Sequence, residues 1–341
     1  MYKYILKRLL ALIPVLIGVT FIVFFIMNLS PGDPARMLLG SGATESSIQA
    51  LREEMGLNDP LIVQYGRYLW DLLHGDMGVS YVSGNTVAYE IFSRFPNTVI
   101  LAVGAIFFAA VVSIPIGIIS ATRQYSAIDN IGMVVALLGV SMPSFWLGLM
   151  LILLFSVYLG WLPSGGADGF SSLILPSITL GAESMATITR TTRSSMLEVV
   201  RQDYIRTARS KGVPEKIVIR KHALKNALIP TLTVTGIEMG ALLGGAILTE
   251  TVFSWPGVGR LLIDAITNKN TPVVLGCLVI FSICFGIVNL IVDILYAYVD
   301  PRIKSQYRLS LIHISRRSRR SRSPESGDSS RSLSILRSSP R

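Results

Sequence analysis

Long apolar runs without charge organise this chain. No Asp, Glu, Lys or Arg occurs from Leu9 to Gly32, from Phe95 to Thr122, from Asn130 to Ala167 or from Asn270 to Val292. An ionised side chain at the bilayer centre costs several kcal/mol, and about 20 helical residues cross the hydrocarbon. These four runs therefore predict spans one, two, three and six. Two further stretches, Leu173 to Thr189 and Leu228 to Thr249, carry one acid each, Glu183 and Glu238, and predict spans four and five. The expected fold is an all-α membrane protein with six transmembrane helices.

Basic residues give the expected orientation, because Lys and Arg collect in cytoplasmic loops. Lys3, Lys7 and Arg8 precede span one, Arg123 follows span two, and Arg302 and Lys304 follow span six. The segment from Arg190 to Lys225 is also strongly basic. All fall on one side, so both termini are expected in the cytoplasm. Acids outnumber bases between spans one and two, which places residues 31–96 outside. Within that segment Ser46 and Ser47 are candidate caps for a helix through Ile48, Leu51 and Met55 that ends at Gly56, and Ile62, Tyr65, Leu69 and Leu72 mark a second helix. Its apolar face suits an interfacial helix or a docking surface. A lid over the bundle and a platform for a partner both fit.

Composition supports the membrane reading, with 51% hydrophobic and 15% charged residues, where soluble domains carry about 25% charged. The net charge of +10 is not a nucleic-acid signature: residues from Tyr307 onward hold nine Arg against Glu325 and Asp328. That Ser/Arg-rich end, residues 305–341, has no helical or strand period and reads as a disordered basic tail, a cloning or read-through appendage or a native extension. The long first apolar run does not suit a cleaved signal peptide. Cys277 and Cys284 share one apolar run and read as packing thiols.

Catalytic chemistry is not legible. His74, His222 and His313 are scattered, without a zinc-ligand spacing or a triad. No Gly-x4-Gly-Lys-Ser/Thr sequence is present, so the chain lacks that route to ATP hydrolysis. Glu183 shares a helical face with Thr179 and Thr187, which fits a polar pathway or an acid neutralised by Arg190. Glu238 fits a pair at the cytoplasmic side or a partner-facing site, and Asp293 a structural ion pair. Gly236, Gly240 and Gly244 recur at four-residue spacing, a stripe for close helix packing. Pro115, Pro143 and Pro176 are candidate pivots. After span four, two short helices are expected to break at Gly212-Val213-Pro214, since Gly suits a helix C′ position and Pro the next first turn.

Arg206-Thr-Ala208 followed by Gly212 resembles the coupling motif of permease subunits in ATP-binding cassette importers. The likeness extends through Ser30-Pro-Gly-Asp-Pro34, Gly56-Leu-Asn-Asp-Pro60, Gly75-Asp-Met-Gly78, Arg94-Phe-Pro-Asn-Thr98, Met142-Pro143, Phe253-Ser-Trp-Pro-Gly-Val-Gly-Arg260 and Asp300-Pro-Arg302. Together they resemble the dipeptide/oligopeptide/nickel branch, over about residues 1–304. Lys225 departs from it, since many relatives have Pro at that place. The resemblance implies a type I importer permease fold, with residues 1–30 as N-terminus and span one, and 97–304 as a permease core holding a coupling loop at about 198–226. It implies that Arg206, Thr207, Ala208, Gly212, His222 and Asn226 meet an ATPase. It also implies a second homologous permease, two cytoplasmic ATPases that bind ATP and Mg2+, an external substrate-binding protein, and a location in the cytoplasmic (inner) membrane of a bacterium or archaeon. No cofactor is expected on this chain. The implied cargo is a di- or oligopeptide, with nickel as the alternative; a gated channel and an intramembrane hydrolase are the other polytopic classes.

Overall fold

The computed structural model describes residues 2–29, 32–40 and 42–299, and the elements among the described residues are helices, joined by turns and loops that hold a single isolated bridge, Val79 to Thr86. The expected tail at 305–341, Arg302, Lys304 and the Asp300-Pro-Arg302 motif lie outside them. Helix α1 is Tyr2–Leu29, and three short helices follow: α2 (Pro34–Leu39), α3 (Glu45–Glu54) and α4 (Leu61–Leu73). Thr44, not Ser46 or Ser47, caps α3 by accepting the Ser47 amide. Gly56 ends that segment at φ +65° as expected.

Helix α5 (Val87–Thr122) starts well before the expected span two, so residues 87–96 of the expected external segment form its first turns. Its early turns look polar in sequence because of Glu90 and Arg94, but these two pair with each other across one turn. Span three is broken rather than straight. Met142 is extended before Pro143 (φ −90°, ψ 131°), as a residue preceding proline prefers, and α6 (Ala127–Ser141) ends there. Helix α7 (Ser144–Leu151), continued by a π-helical stretch to Tyr158, leaves at 105° to α6. Pro115 and Pro176, by contrast, sit inside the unbroken helices α5 and α8.

Helix α8 (Phe170–Val200) is followed by α9 (Asp203–Ser210), α10 (Glu215–Ile217), a π-helical stretch Val218–Ala223 and α11 (Leu224–Gly245). The chain closes with α12 (Ile247–Val252), α13 (Val258–Thr267) and α14 (Thr271–Val299). Among the described residues, α1, α5, α14 and the run Glu215–Gly244 are long and apolar enough to cross a membrane, and the bent α6–α7 pair makes a fifth candidate. Helix α8 is long enough but more polar than these, and its environment explains why. Ser177, Thr179, Ser184, Thr189, Thr192 and Ser195 are all buried, and α8 packs against α5, α6, α7 and α11.

Polar contacts tie α8 to its neighbours. Arg193 makes a two-pronged pair with Asp129 of α6 at 2.9 and 2.8 Å. Ser113 of α5 donates to the Met185 carbonyl at 3.2 Å, and Ser184 donates to Glu238 of α11 at 2.8 Å. Glu238 is thus held by α8, not by a base at the membrane edge. Backbones approach closely where a side chain would intrude: a Cβ on Gly181 would lie 2.5 Å from the Ala105 carbonyl oxygen. Asp293 pairs with Arg8 at 2.9 Å, joining α14 to α1 as a structural pair.

Two motifs far apart in sequence meet beside α13. Thr98 Oγ1 donates to Glu250 at 2.7 Å and accepts the Val258 amide at 2.8 Å. Glu250, fully buried, also accepts the Arg260 amide at 3.0 Å and that of Gly259. The carboxylate therefore caps the N-terminus of α13, where unpaired amides and the helix dipole favour negative charge. Trp255 Nε1 donates to the Asn97 carbonyl, while Asn97 Nδ2 donates to that of Pro256, both at 3.0 Å.

The glycine stripe is only partly a packing surface. A Cβ at Gly236 would lie 2.6 Å from a Val292 methyl and one at Gly240 3.3 Å from Val288, whereas Gly244 faces open space. Gly236→Leu should therefore lower the thermal midpoint of the purified protein in detergent, at an overpacking cost of about 1–3 kcal/mol, and Gly244→Ala should leave it unchanged. Glu250→Ala strands the Thr98 hydroxyl and two α13 amides, at about 1–3 kcal/mol for each group left unsatisfied. The same measurement should show Glu250→Gln, which keeps an acceptor, falling between wild type and Glu250→Ala.

Candidate coupling surface and pathway face

Helix α9 has two faces with different work. Ile205 and Ala208 are buried, packing with Met196 at the end of α8, Val218 and Ala223 of the π-helical stretch, and Ala227 of α11. Arg206, Thr207 and Arg209 point away from that cluster and are exposed. Of the expected coupling residues, Ala208 is thus the anchor, while Arg206 and Thr207 are available to a partner. The Thr207 hydroxyl donates to the Asp203 carbonyl at 2.9 Å.

The turn after α9 is tightly specified. Gly212 has φ +75°, a left-handed conformation that a Cβ disfavours. Its amide donates to the Arg209 carbonyl at 2.9 Å, and the Val213 amide reaches the Ala208 carbonyl at 3.3 Å. That pair of bonds is a Schellman motif, completed by the apolar contact of Val213 with the Ala208 cluster. Arg209 closes the turn through two hydrogen bonds to Glu215, at 3.0 and 2.7 Å. The Glu215 carboxylate holds the Arg209 guanidinium above its ordinary pKa. Asn226 donates to the Tyr204 hydroxyl at 2.8 Å, fastening the start of α11 to α9. His222 lies half-buried in the π-helical stretch.

Ile205, Val218 and the Arg209–Glu215 clamp belong to no motif of the sequence. Ile205 and Ala208 at three-residue spacing in a basic segment were the available signal; the π-helical register that brings in Val218 leaves no such mark.

The candidate pathway residues separate. Glu183 and Thr187 lie on the exposed side of α8, and Glu183 borders an open hollow of about 470 Å3 whose other walls include Ser141, Met142, Pro143, Phe145 and Leu248. Thr179 does not join them: it is buried and its hydroxyl donates to the Leu175 carbonyl at 2.9 Å. Neighbouring helices cover α8 one turn before Glu183, so the shared face ends there. Among the described residues no ion pair joins Glu183 to Arg190. The α6–α7 elbow beside Glu183 was signalled only by Met142-Pro143.

This chain matches the family model for the binding-protein-dependent transport system inner membrane component over residues 113–305, and its N-terminal companion over residues 1–102. It is 46% identical over 332 residues to the dipeptide transport permease DppB of Alkalihalophilus pseudofirmus, covering 89% of this chain and 100% of that one. The chain belongs to the permease family of binding-protein-dependent ABC importers. The glutathione transport permease GsiC of Salmonella paratyphi A is 46% identical to the permease over 304 residues, covering 89% and 99% of the two chains. An inward-facing structure of the MetNI methionine ABC transporter shares its fold, with a TM-score of 0.51 and 20% identity over 62% of the permease and 97% of that chain. The permease is an inner-membrane component of an importer that also uses ATPases and a substrate-binding protein.

Gly212→Ala should loosen the turn without unfolding the bundle, because nothing lies within 4 Å of the added Cβ and the left-handed backbone costs about 1 kcal/mol. Hydrogen exchange should speed up several-fold at the Gly212-position and Val213 amides, while α5 and α8 amides keep their protection.

Proposed function

We propose that the permease carries di- or oligopeptides across the inner membrane as one of two homologous subunits, and that α9 couples it to two ATPases. In this reading six spans run with both termini in the cytoplasm, with α8 as span four. ATP and Mg2+ belong to the ATPases, and the permease is non-catalytic. The observation that carries the proposal is the two-faced α9: Ile205 and Ala208 lock it onto α8 and α11, while Arg206 and Thr207 stay exposed. A helix held that firmly moves with the bundle, so force on its outer face reaches α8. Glu183 and Thr187, exposed on α8, would then line a pathway shared with the second permease, where a carboxylate suits the amino group of a peptide.

The relatives' names support the cargo class, since dipeptide and glutathione permeases match over nearly their whole length. They favour a peptide over nickel. Residues 31–96 would lie outside, on the side from which a binding protein delivers its load.

Arg206→Glu reverses charge on the exposed face and leaves the buried anchor intact. In vesicles holding the complete importer, Arg206→Glu should insert normally, while stimulation of ATP hydrolysis by loaded binding protein and peptide uptake fall together by at least tenfold. Wild-type stimulation and uptake in that variant would remove α9 from the coupling role.

A further inference from the structure

Helix α4 divides into three sectors at helical spacing. Leu61, Tyr65, Tyr68 and Leu69 face inward, packing with Phe24 and Phe25 of α1 and Leu275 of α14. Arg67 lies in an exposed polar sector and pairs with Asp59 at 2.6 Å, while His74, just past the end of α4, packs its ring 4.8 Å from that of Trp70. Between these lies an exposed apolar strip: Ile62 is 76% accessible, Val63 50%, Trp70 65% and Leu73 81%, with Gly66 among them. A water-exposed helix needs two sectors, protein-facing and polar. The third has no role in water.

The depth of α4 indicates what covers the strip. The Tyr65 hydroxyl donates to the Ile17 carbonyl of α1 at 2.9 Å and lies 3.1 Å from Thr20 Oγ1. Ile17 is within the apolar run of α1, about three helical turns, or roughly 18 Å, before that helix ends at Leu29. Helix α4 is therefore docked beside a membrane-crossing segment rather than above it. Helix α1 itself exposes Ile22 and Ile26, both 58% accessible, on a face turned away from Tyr65, as a lipid-facing span does. Tryptophan suits such a boundary, with an apolar ring and one polar N–H.

We propose that α4 is an interfacial helix whose strip of Ile62, Val63, Trp70 and Leu73 contacts lipid acyl chains, in the leaflet that holds the C-terminal half of α1. It anchors the segment between α1 and α5 to the bilayer, and its polar sector faces the headgroups. Binding protein docks elsewhere on that segment.

The test uses the complete importer in vesicles of phosphatidylcholine or of its dibrominated form, comparing wild type with Trp70→Phe so that the difference isolates Trp70 emission. The Trp70 component should be quenched at least twofold by brominated lipid, resist iodide, and stay unchanged when loaded binding protein is added. Leu73→Trp in the Trp70→Phe background should behave the same way. Arg67→Trp, in the polar sector, should be quenched by iodide and not by bromine. If Trp70→Phe fails to assemble, Leu73→Trp added to wild type supplies the same reading. Iodide quenching of positions 70 and 73 that binding protein blocks would assign the strip to docking and overturn the proposal. Insensitivity to both quenchers would overturn it in favour of burial against the second permease.

Discussion

A helix rich in Ser, Thr and Arg stands in an apolar slab only where other helices take the place of lipid around it, because a polar group without a partner in hydrocarbon costs several kcal/mol. Helix α8 is that helix, and the rest of the fold is arranged to satisfy it. Helix α6 supplies Asp129 to Arg193, α11 supplies Glu238 to Ser184, and α5 approaches closely enough to meet Gly181. The interactions are mutual: Asp129 and Glu238 are themselves acids that an apolar setting would not tolerate alone. Satisfying α8 thus fixes the relative positions of α5, α6 and α11, and leaves Glu183 and Thr187 exposed on the stretch of α8 that the proposed function assigns to a pathway.

The same helix links the two ends of the account. Its last turns place Met196 under Ile205 and Ala208, so α9 is seated on the end of α8 and cannot shift independently of it. The Schellman turn at Gly212 and the Arg209–Glu215 clamp then fix the angle at which the chain returns through α11. Beside α13, Glu250 and Thr98 perform a comparable task, holding α5, α12 and α13 together with a carboxylate that finds its neutralisation in helix amides. A rigid bundle fastened at both places can transmit a displacement from one to the other.

Much of this was legible in the sequence because charge-free runs answer directly to the energetics of the bilayer. The runs located α1, α5 and α14, and Gly212 with Pro214 located the break after α9. Boundaries failed where charged residues satisfy each other: Glu90 with Arg94 hid the start of α5, and Arg193 with Asp129 hid the last turns of α8. The elbow at Pro143 was invisible to a count of apolar residues, which does not see direction. Of the expected site residues, Arg206 and Thr207 are exposed and Gly212 takes the left-handed turn, whereas Ala208 faces inward and Thr179 is covered, because exposure depends on helices distant in sequence. Glu250 left no sign of its capping role, since its partners lie 152 residues upstream at Thr98 and ten residues downstream at Arg260.

Proximity between α9 and the ATPases tests the central claim most directly. With Cys277 and Cys284 replaced by Ala, single cysteines introduced as Arg206→Cys, Thr207→Cys and Ala208→Cys can be cross-linked to the ATPase subunits in the complete importer, with and without ATP. The account predicts strong cross-links from positions 206 and 207, a yield that changes when ATP binds, and none from the buried position 208. Absence of cross-links at 206 and 207 in an assembled, ATP-hydrolysing complex would contradict it.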